Sequence, residues 1–216
     1  TSSIVDEAVE KGCNLIVSHH PLIFRPLKRV VGADDVQRAV AKAIKHDITI
    51  LSMHTNMDNA QGGVNFKMAE KMQLTGVKFF TEKQVDGITC GSGVMGELPG
   101  AMAADDFIMM LKREFDVECV QCNQLLRRPI RTVAICGGAG SFLLPEAIAA
   151  GADAFVTGEM HYHDYFAHEQ EIQIAVIGHY QSEQYTYEIF KSIIEEQCEG
   201  VRCVVTSQNT NPIIYL

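Results

Sequence analysis

The chain alternates short apolar runs of strand length with segments of helical periodicity. "CNLIVSHH", "ITILSMH", "IRTVAICGG", "ADAFVTGE", "IQIAVIGH" and "VRCVVTSQ" are bounded by Gly or polar residues and read as buried strands, and "VECVQCNQ" reads as a further strand. Between them, "IVDEAVEKG" has the form of a helix end closed by Gly12. "DDVQRAVAKAIKHD" sets Val36, Val40 and Ile44 on one helical face, and "GVNFKMAEKM", "AADDFIMMLKREF", "LPEAIAAG" and "SEQYTYEIFKSIIEEQ" supply further helices. Alternation of this kind predicts an α/β protein with crossover connections. From about Gly76 to Gly100 the pattern weakens into Gly and polar residues, so a junction is expected there, dividing residues 1–85 from 86–216.

Three of the apolar runs end alike. "LIVSHH" delivers His19 and His20, "ITILSMHTNMD" delivers His54 and Asp58, and "IQIAVIGHYQSE" delivers His179 and Glu183. In open α/β sheets, ligands collect at the carboxyl ends of the strands, so these side chains can converge on one site. Neutral imidazoles mixed with carboxylates suit zinc, iron, manganese or cobalt better than calcium or magnesium. Adjacent histidines on a straight strand point to opposite faces, but where the chain turns each can serve its own ion, with a carboxylate such as Glu183 between them. Two ions about 3.5–4 Å apart form a recurring hydrolytic arrangement.

Composition narrows the classes. The formal net charge of -9 and the short basic clusters "RPLKRV" and "LLRRPIR" argue against direct binding of nucleic acid. No run reaches the roughly 18 apolar residues of a membrane span, and the polar, amphipathic "TSSIVDEAVEKG" shows no secretory leader. Seven cysteines, an odd number and mostly within apolar runs, fit reduced thiols in a cytoplasmic protein. Cys119 and Cys122 form a CxxC, but on a strand that spacing sends the two thiols to opposite faces.

Two further stretches carry chemistry. "CGGAGSFLLPEAI" is a Gly turn into a helix, with Ser141 placed as its cap; such turns can hold an anion, although the Lys-Ser/Thr ending of a P-loop is missing. In "TGEMHYHDYFAHEQ", His161 and His163 alternate on a segment read as extended, while His168, like His46, reads as a solvated surface residue.

"NLIVSHHPLIFRPLKRV", "HTNMDNAQGGVN", "GSGVMGEL", "CGGAGSF", "GADAFVTGEMHYHDYFAHE" and "GHYQSEQ" together resemble the Nif-three-like family, the GTP cyclohydrolase I type 2 homologues, in family order over nearly the whole chain. The resemblance implies two similar α/β halves enclosing a dinuclear metal centre, and a toroidal homohexamer. It implies His19, His20, Asp58, His179 and Glu183 as metal ligands, Glu183 as the bridge and His54 beside the site. Glu159 and His163 fall in a motif near the pocket, where the implied role is catalytic proton transfer. Relatives usually begin some tens of residues earlier with a first strand, which is missing here from the first half, and some insert a domain near "FFTEKQVDGITCGSG". Ser182 stands where many have threonine, which retains a hydroxyl.

The expectation is a metal-dependent hydrolase that uses two divalent ions (zinc, iron or manganese) on a nucleotide-like or other small phosphorylated or heterocyclic substrate. The rival expectations are a metal-binding regulatory or assembly protein without turnover, and a metal store. Family membership does not fix the substrate.

Overall fold

Residues 1–215 are described by a computed structural model of the chain, and they fall into two units, residues 1–57 with 187–214 and residues 58–186 with Tyr215. In the first unit, α1 (Ser2–Glu10) leads into β1 (Leu15–Ser18), then α2 (Asp35–Lys45) crosses over to β2 (Thr49–Ser52). The two strands pair in parallel, from Leu15 opposite Thr49 to Ser18 opposite Ser52, so both carboxyl ends finish level. Asp34 starts α2 by accepting from the Gln37 amide at 2.8 Å. The core is small: Val5 and Ala8 from α1 meet Ala39 and Ala43 from α2, with Ile48 beside them. The helices thus meet through alanines, and the face expected to be buried differs: Val36 and Val40 are half-buried and Ile44 is 74% exposed.

The last helix, Thr186–Gln197, belongs to this unit from Tyr187 onward, and residues 198–214 form neither helix nor strand. The strand expected at "VRCVVTSQ" therefore does not form. A strand needs a neighbouring edge for its amides. Here side chains take over: Arg202 Nη2 donates to the Lys11 carbonyl at 2.7 Å, and Ser207 donates to Glu7 Oε1 from both its amide and its hydroxyl, each at 2.9 Å.

The second unit begins with α3 (Thr55–Asp58), whose last residue belongs to it, and α4 (Val64–Lys71). It then lays down β3 (Thr75–Phe79), β4 (Glu82–Val85), β5 (Ile88–Gly91), β6 (Val94–Met102), α5 (Ala104–Glu114), β7 (Gln121–Cys122) and β8 (Ile130–Cys136). After these come α6 (Leu144–Ala149), β9 (Ala154–Thr157), β10 (Gln173–Val176) and α7 (His179–Glu183). Six strands make one sheet in the order β3-β6-β8-β9-β10-β7, in which β8, β9 and β10 run parallel and the other neighbours antiparallel.

The three parallel strands are apolar on both faces because both are covered. Val133, Ile135, Val156 and Ala175 face a core with Phe107, Leu111 and Phe115, while Ala134, Phe155, Ile174 and Val176 face one with Leu143, Leu144 and Ala147. The boundary expected after residue 85 coincides with the turn of the β4–β5 hairpin, where Asp86 and Gly87 both take positive φ. The Gly-rich middle is therefore strand and turn inside one unit. Ser141 is not a helix cap: it opens a 3-10 turn, Ser141–Leu143, that runs into α6. The expected long helix from Ser182 is interrupted after Glu183. Of "VECVQCNQ", only Gln121 and Cys122 pair with β10, and Cys119 and Cys122 are both exposed free thiols.

Candidate metal centre

In the first unit, the level ends of β1 and β2 bring three imidazoles together. His19, His20 and His54 each offer one ring nitrogen, and the three nitrogens lie within 4.8 Å of one another. Their ring centroids are 4.9 to 5.3 Å apart and the rings meet at steep angles, so they converge without stacking. The turn after Ser18 accounts for neighbouring histidines sharing a cluster: Ser18 Oγ donates to the His20 carbonyl at 2.9 Å and reaches Ser52 Oγ at 2.9 Å. His19 Nδ1 lies 3.0 Å from the Met53 carbonyl. A carbonyl only accepts, so Nδ1 carries the proton and, in the neutral ring, Nε2 carries the lone pair that a metal takes.

In the second unit, Asp58, His179 and Glu183 gather around the end of β8. Asn65, 3% exposed on α4, donates from Nδ2 to the Asp58 carbonyl at 3.0 Å and accepts from the Gly137 amide at 2.8 Å. That one side chain ties the Asp58 turn to the loop after β8. Cys136, the last residue of β8, reports what surrounds it: burial pushes its thiol up to about 12, and the negative charges of Asp58 and then Glu183 push it the same way.

Tight backbone approach fixes the Glu183 carboxylate. Gly138 has φ +58 and stands where a Cβ would collide with Glu183 Oε1. At Gly158 a Cβ would lie 2.6 Å from the Gly138 carbonyl and 2.7 Å from Ser182 Oγ. Ser182 Oγ accepts from the Gly138 amide at 2.9 Å and donates to the His179 carbonyl at 2.8 Å, so its hydroxyl braces α7 against the Gly loop. Three amides of that loop are thereby used: Gly137 donates to Asn65, Gly138 to Ser182 and Gly140 to Thr157 Oγ1 at 3.2 Å. These contacts make the loop a brace, in keeping with the tight turn its glycines allow.

His179 is held between two carboxylates. Nδ1 donates to Glu159 Oε1 at 2.8 Å, and Nε2 lies 3.1 Å from Glu183 Oε2. The bond to Glu183 leads in pushing the imidazole up to about 9, Glu159 adds to it, and burial works against it. Glu159 thus orients the ring from its far nitrogen, the usual arrangement behind a metal-ligating histidine. His161 and His163 do not alternate on an extended segment. His161 caps a 3-10 turn, Tyr162–Tyr165, and His163 within it is exposed, its ring 6.2 Å from that of Phe166. His168 bonds Glu171 at 2.8 Å and His46 is exposed.

His19, His20 and His54 therefore form a metal-capable group within the first unit, and the second unit supplies further ligand chemistry in Asp58, His179 and Glu183. The donors fit a divalent ion: a tautomer-fixed imidazole in one, a carboxylate-oriented imidazole in the other. The family resemblance set His54 beside the site, yet it stands in the cluster as fully as His19 and His20, as the strand-end pattern allowed. The role of Asn65 is new, and the hydroxyl expected at Ser182 proves to be a brace between α7 and the Gly loop. Asn65 is a polar residue on the buried side of an amphipathic helix, a signal that was available; the part of Ser182 depends on contacts with distant residues.

A family model, Duf34/NIF3 (NGG1p interacting factor 3), matches residues 1–212. A protein of Streptococcus pneumoniae with the name GTP cyclohydrolase 1 type 2 homolog is 34% identical over 163 residues, which cover 74% of this chain and 60% of the relative. Its counterpart in Clostridium perfringens is 29% identical over 220 residues, covering 100% of this chain and 83% of the relative. Among solved structures, a Staphylococcus aureus protein superposes with a TM-score of 0.89 at 26% identity, over 100% of this chain and 85% of that one. A Bacillus cereus protein related to NIF3 does so with 0.89 at 23% identity, over 100% and 87%. The matched stretch, the fold and the pattern of histidine and carboxylate agree, and the chain belongs to the Duf34/NIF3 family.

Proposed function

We propose that this chain binds two divalent metal ions through His19, His20, Asp58, His179 and Glu183, with His54 alongside, and that it is a metal-dependent hydrolase. Its substrate on this reading is nucleotide-like, or a small phosphorylated or heterocyclic compound, which is the class suggested by the names of its relatives. The observation that carries the metal reading is the His19, His20 and His54 cluster, three ring nitrogens within 4.8 Å with His19 Nδ1 committed to a backbone carbonyl. Ring nitrogens this close can turn their lone pairs toward a cation, which is what a metal-binding imidazole cluster requires.

Bound ions of this kind polarise the bond under attack and acidify water. The protein's own part is to place and orient. Glu159 holds His179 by Nδ1, and Ser182 with Gly138 confines the Glu183 carboxylate. Glu159 has a second oxygen and is an exposed carboxylate, which suits it to relay a proton, and His163 is a further candidate. A toroidal homohexamer is the assembly that goes with this reading.

The test is metal content by plasma mass spectrometry on protein purified without added metal or chelator, beside a His19→Ala, Glu183→Ala double variant. Close to two ions per chain, lost in the variant, is the expected result, followed by hydrolysis of GTP or another nucleotide by the loaded protein. Two ions without turnover on any nucleotide would instead favour the regulatory or assembly reading. Protein that carries no metal and takes up no zinc, iron or manganese overturns the proposal. Light scattering reads the hexamer directly.

A further inference from the structure

Fourteen residues separate the His19–His20 pair from α2, and the chain from Pro21 to Asp34 forms neither helix nor strand. Long ordered connections without regular structure are commonly functional. This one is held at both ends. Leu22 packs against the core of the first unit, and the amides of Val31 and Ala33 donate to the buried Gln37 Oε1 at 2.9 and 3.4 Å. Between these anchors the segment turns outward what a chain normally hides: Phe24 is 73% exposed, and Ile23 is also exposed.

The charge of the segment is equally unusual. Arg25, Lys28 and Arg29 are exposed, no acidic residue occurs from Pro21 to Ala33, and among the described residues none of the three forms an ion pair. The chain as a whole carries -9. A cationic, aromatic loop on an acidic protein attracts anions to one place. Its aromatic member stands at the histidine cluster, because the Phe24 ring lies 6.5 Å from that of His54, edge to face.

Guanidinium and ammonium groups bind phosphate oxygens, and an exposed aromatic ring offers a stacking face to a heterocycle. The two together describe a small anionic heteroaromatic compound, a nucleoside polyphosphate in chemical class. We propose that residues 23–29 are the substrate-recognition loop of this protein, with Phe24 stacking on the heterocycle and Arg25, Lys28 and Arg29 holding the phosphates. The inference rests on the nucleotide-type substrate of the preceding section and adds to it the residues that select the substrate. They are specificity residues and touch no bond that breaks.

The experiment is calorimetric titration of the metal-loaded full chain with three probes: GTP, inorganic triphosphate and guanosine. Phe24→Ala is expected to weaken GTP and guanosine about ten-fold while leaving triphosphate within about two-fold. The Arg25→Ser, Lys28→Ser, Arg29→Ser variant is expected to weaken GTP and triphosphate about ten-fold or more, and to flatten their salt dependence. If that triple variant loses its helical circular dichroism, Lys28→Gln and Arg29→Gln tested singly are expected to cost a few-fold each. GTP binding alike to wild type and both variants overturns the assignment, as does failure of all three probes to bind wild type. Tighter binding of a duplex oligonucleotide than of GTP also overturns it, in favour of a polynucleotide partner. The His19→Ala, Glu183→Ala variant separates this inference from the metal reading: triphosphate binding that persists there, still sensitive to the loop substitutions, upholds the loop even if the protein proves not to be a hydrolase.

Discussion

The two units hold metal-capable residues in opposite ways. In the first, three imidazoles stand at the ends of a two-stranded sheet whose core is Val5, Ala8, Ala39, Ala43 and Ile48, with Leu15 and Leu51 of the strands about half exposed. In the second, carboxylates and one imidazole lie against a six-stranded sheet with Phe107, Phe115 and Phe155 fully buried on its two faces. The first set is placed by backbone turns and one carbonyl. The second is placed by interlocked side chains and two glycines. A small core suffices to set strand ends level, because register alone does that. Confining a carboxylate against a loop takes close packing on every side, and only the larger core supplies it.

Substitutions in the two cores should break this contrast most strongly. Phe107→Ala is expected to destabilise the second unit by about 4 kcal/mol in denaturant unfolding, against about 1–2 kcal/mol for Val5→Ala in the first. Equal losses would show that the cores are not as different as their side chains imply. Next in size is Gly158→Ala. Its new methyl meets the Gly138 carbonyl and Ser182 Oγ, so a loss of about 3 kcal/mol is expected, together with displaced Glu183 and weakened metal uptake. Unchanged stability would mean that the loop yields easily.

Asn65→Ala sharpens the comparison further, since it strands the half-buried Gly137 amide and frees the Asp58 turn. About 2 kcal/mol is the expected cost. Asn65→Asp, which keeps the acceptor for Gly137, should recover part of it; equal costs for both variants would assign the effect to packing. The smallest effect belongs to the first unit. The Lys11 ammonium, then the Ser207 amide and the Thr206 hydroxyl, hold Glu7 down from 4.5 to about 2. A depressed carboxylate stabilises the fold above its unfolded pKa, and the contribution fades as pH falls from about 4.5 to 2. Carboxyl NMR should place the Glu7 inflection near 2. Glu7→Gln should release residues 202–208 to proteolysis at neutral pH and remove their acid sensitivity. An inflection near 4.5 would discount the contact.

Much of the fold was legible because the signals were local. "NLIVSHH", "ITILSMH", "IQIAVIGH" and "IRTVAIC" all form strands where their apolar runs predicted them, but only the last two are buried; β1 and β2, expected to be buried as well, are half-buried to exposed because only the small first core packs on them. "VRCVVTSQ" carried the same signal and stayed irregular, because a strand exists only where an edge accepts it, and here Glu7 accepts instead. The Gly76–Gly100 stretch read as a junction because Gly and polar residues serve hairpins and linkers alike. Its hairpin and its pairing with β8 depend on partners far along the chain.

The candidate site divides the same way. Which side chains have ligand chemistry, and that His19, His20, His54, His179 and Glu183 follow apolar strands, could be read from the sequence, for periodicity and residue type are properties of short segments. It took the folded chain to show that His54 joins the cluster of His19 and His20, that Glu159 orients His179, and that amides of the Gly loop donate to Ser182, Asn65 and Thr157. Each of these depends on a few ångströms between residues from 17 to 72 positions apart. Distances of that kind are set by packing, which couples all the contacts of a core at once, and no local pattern encodes them.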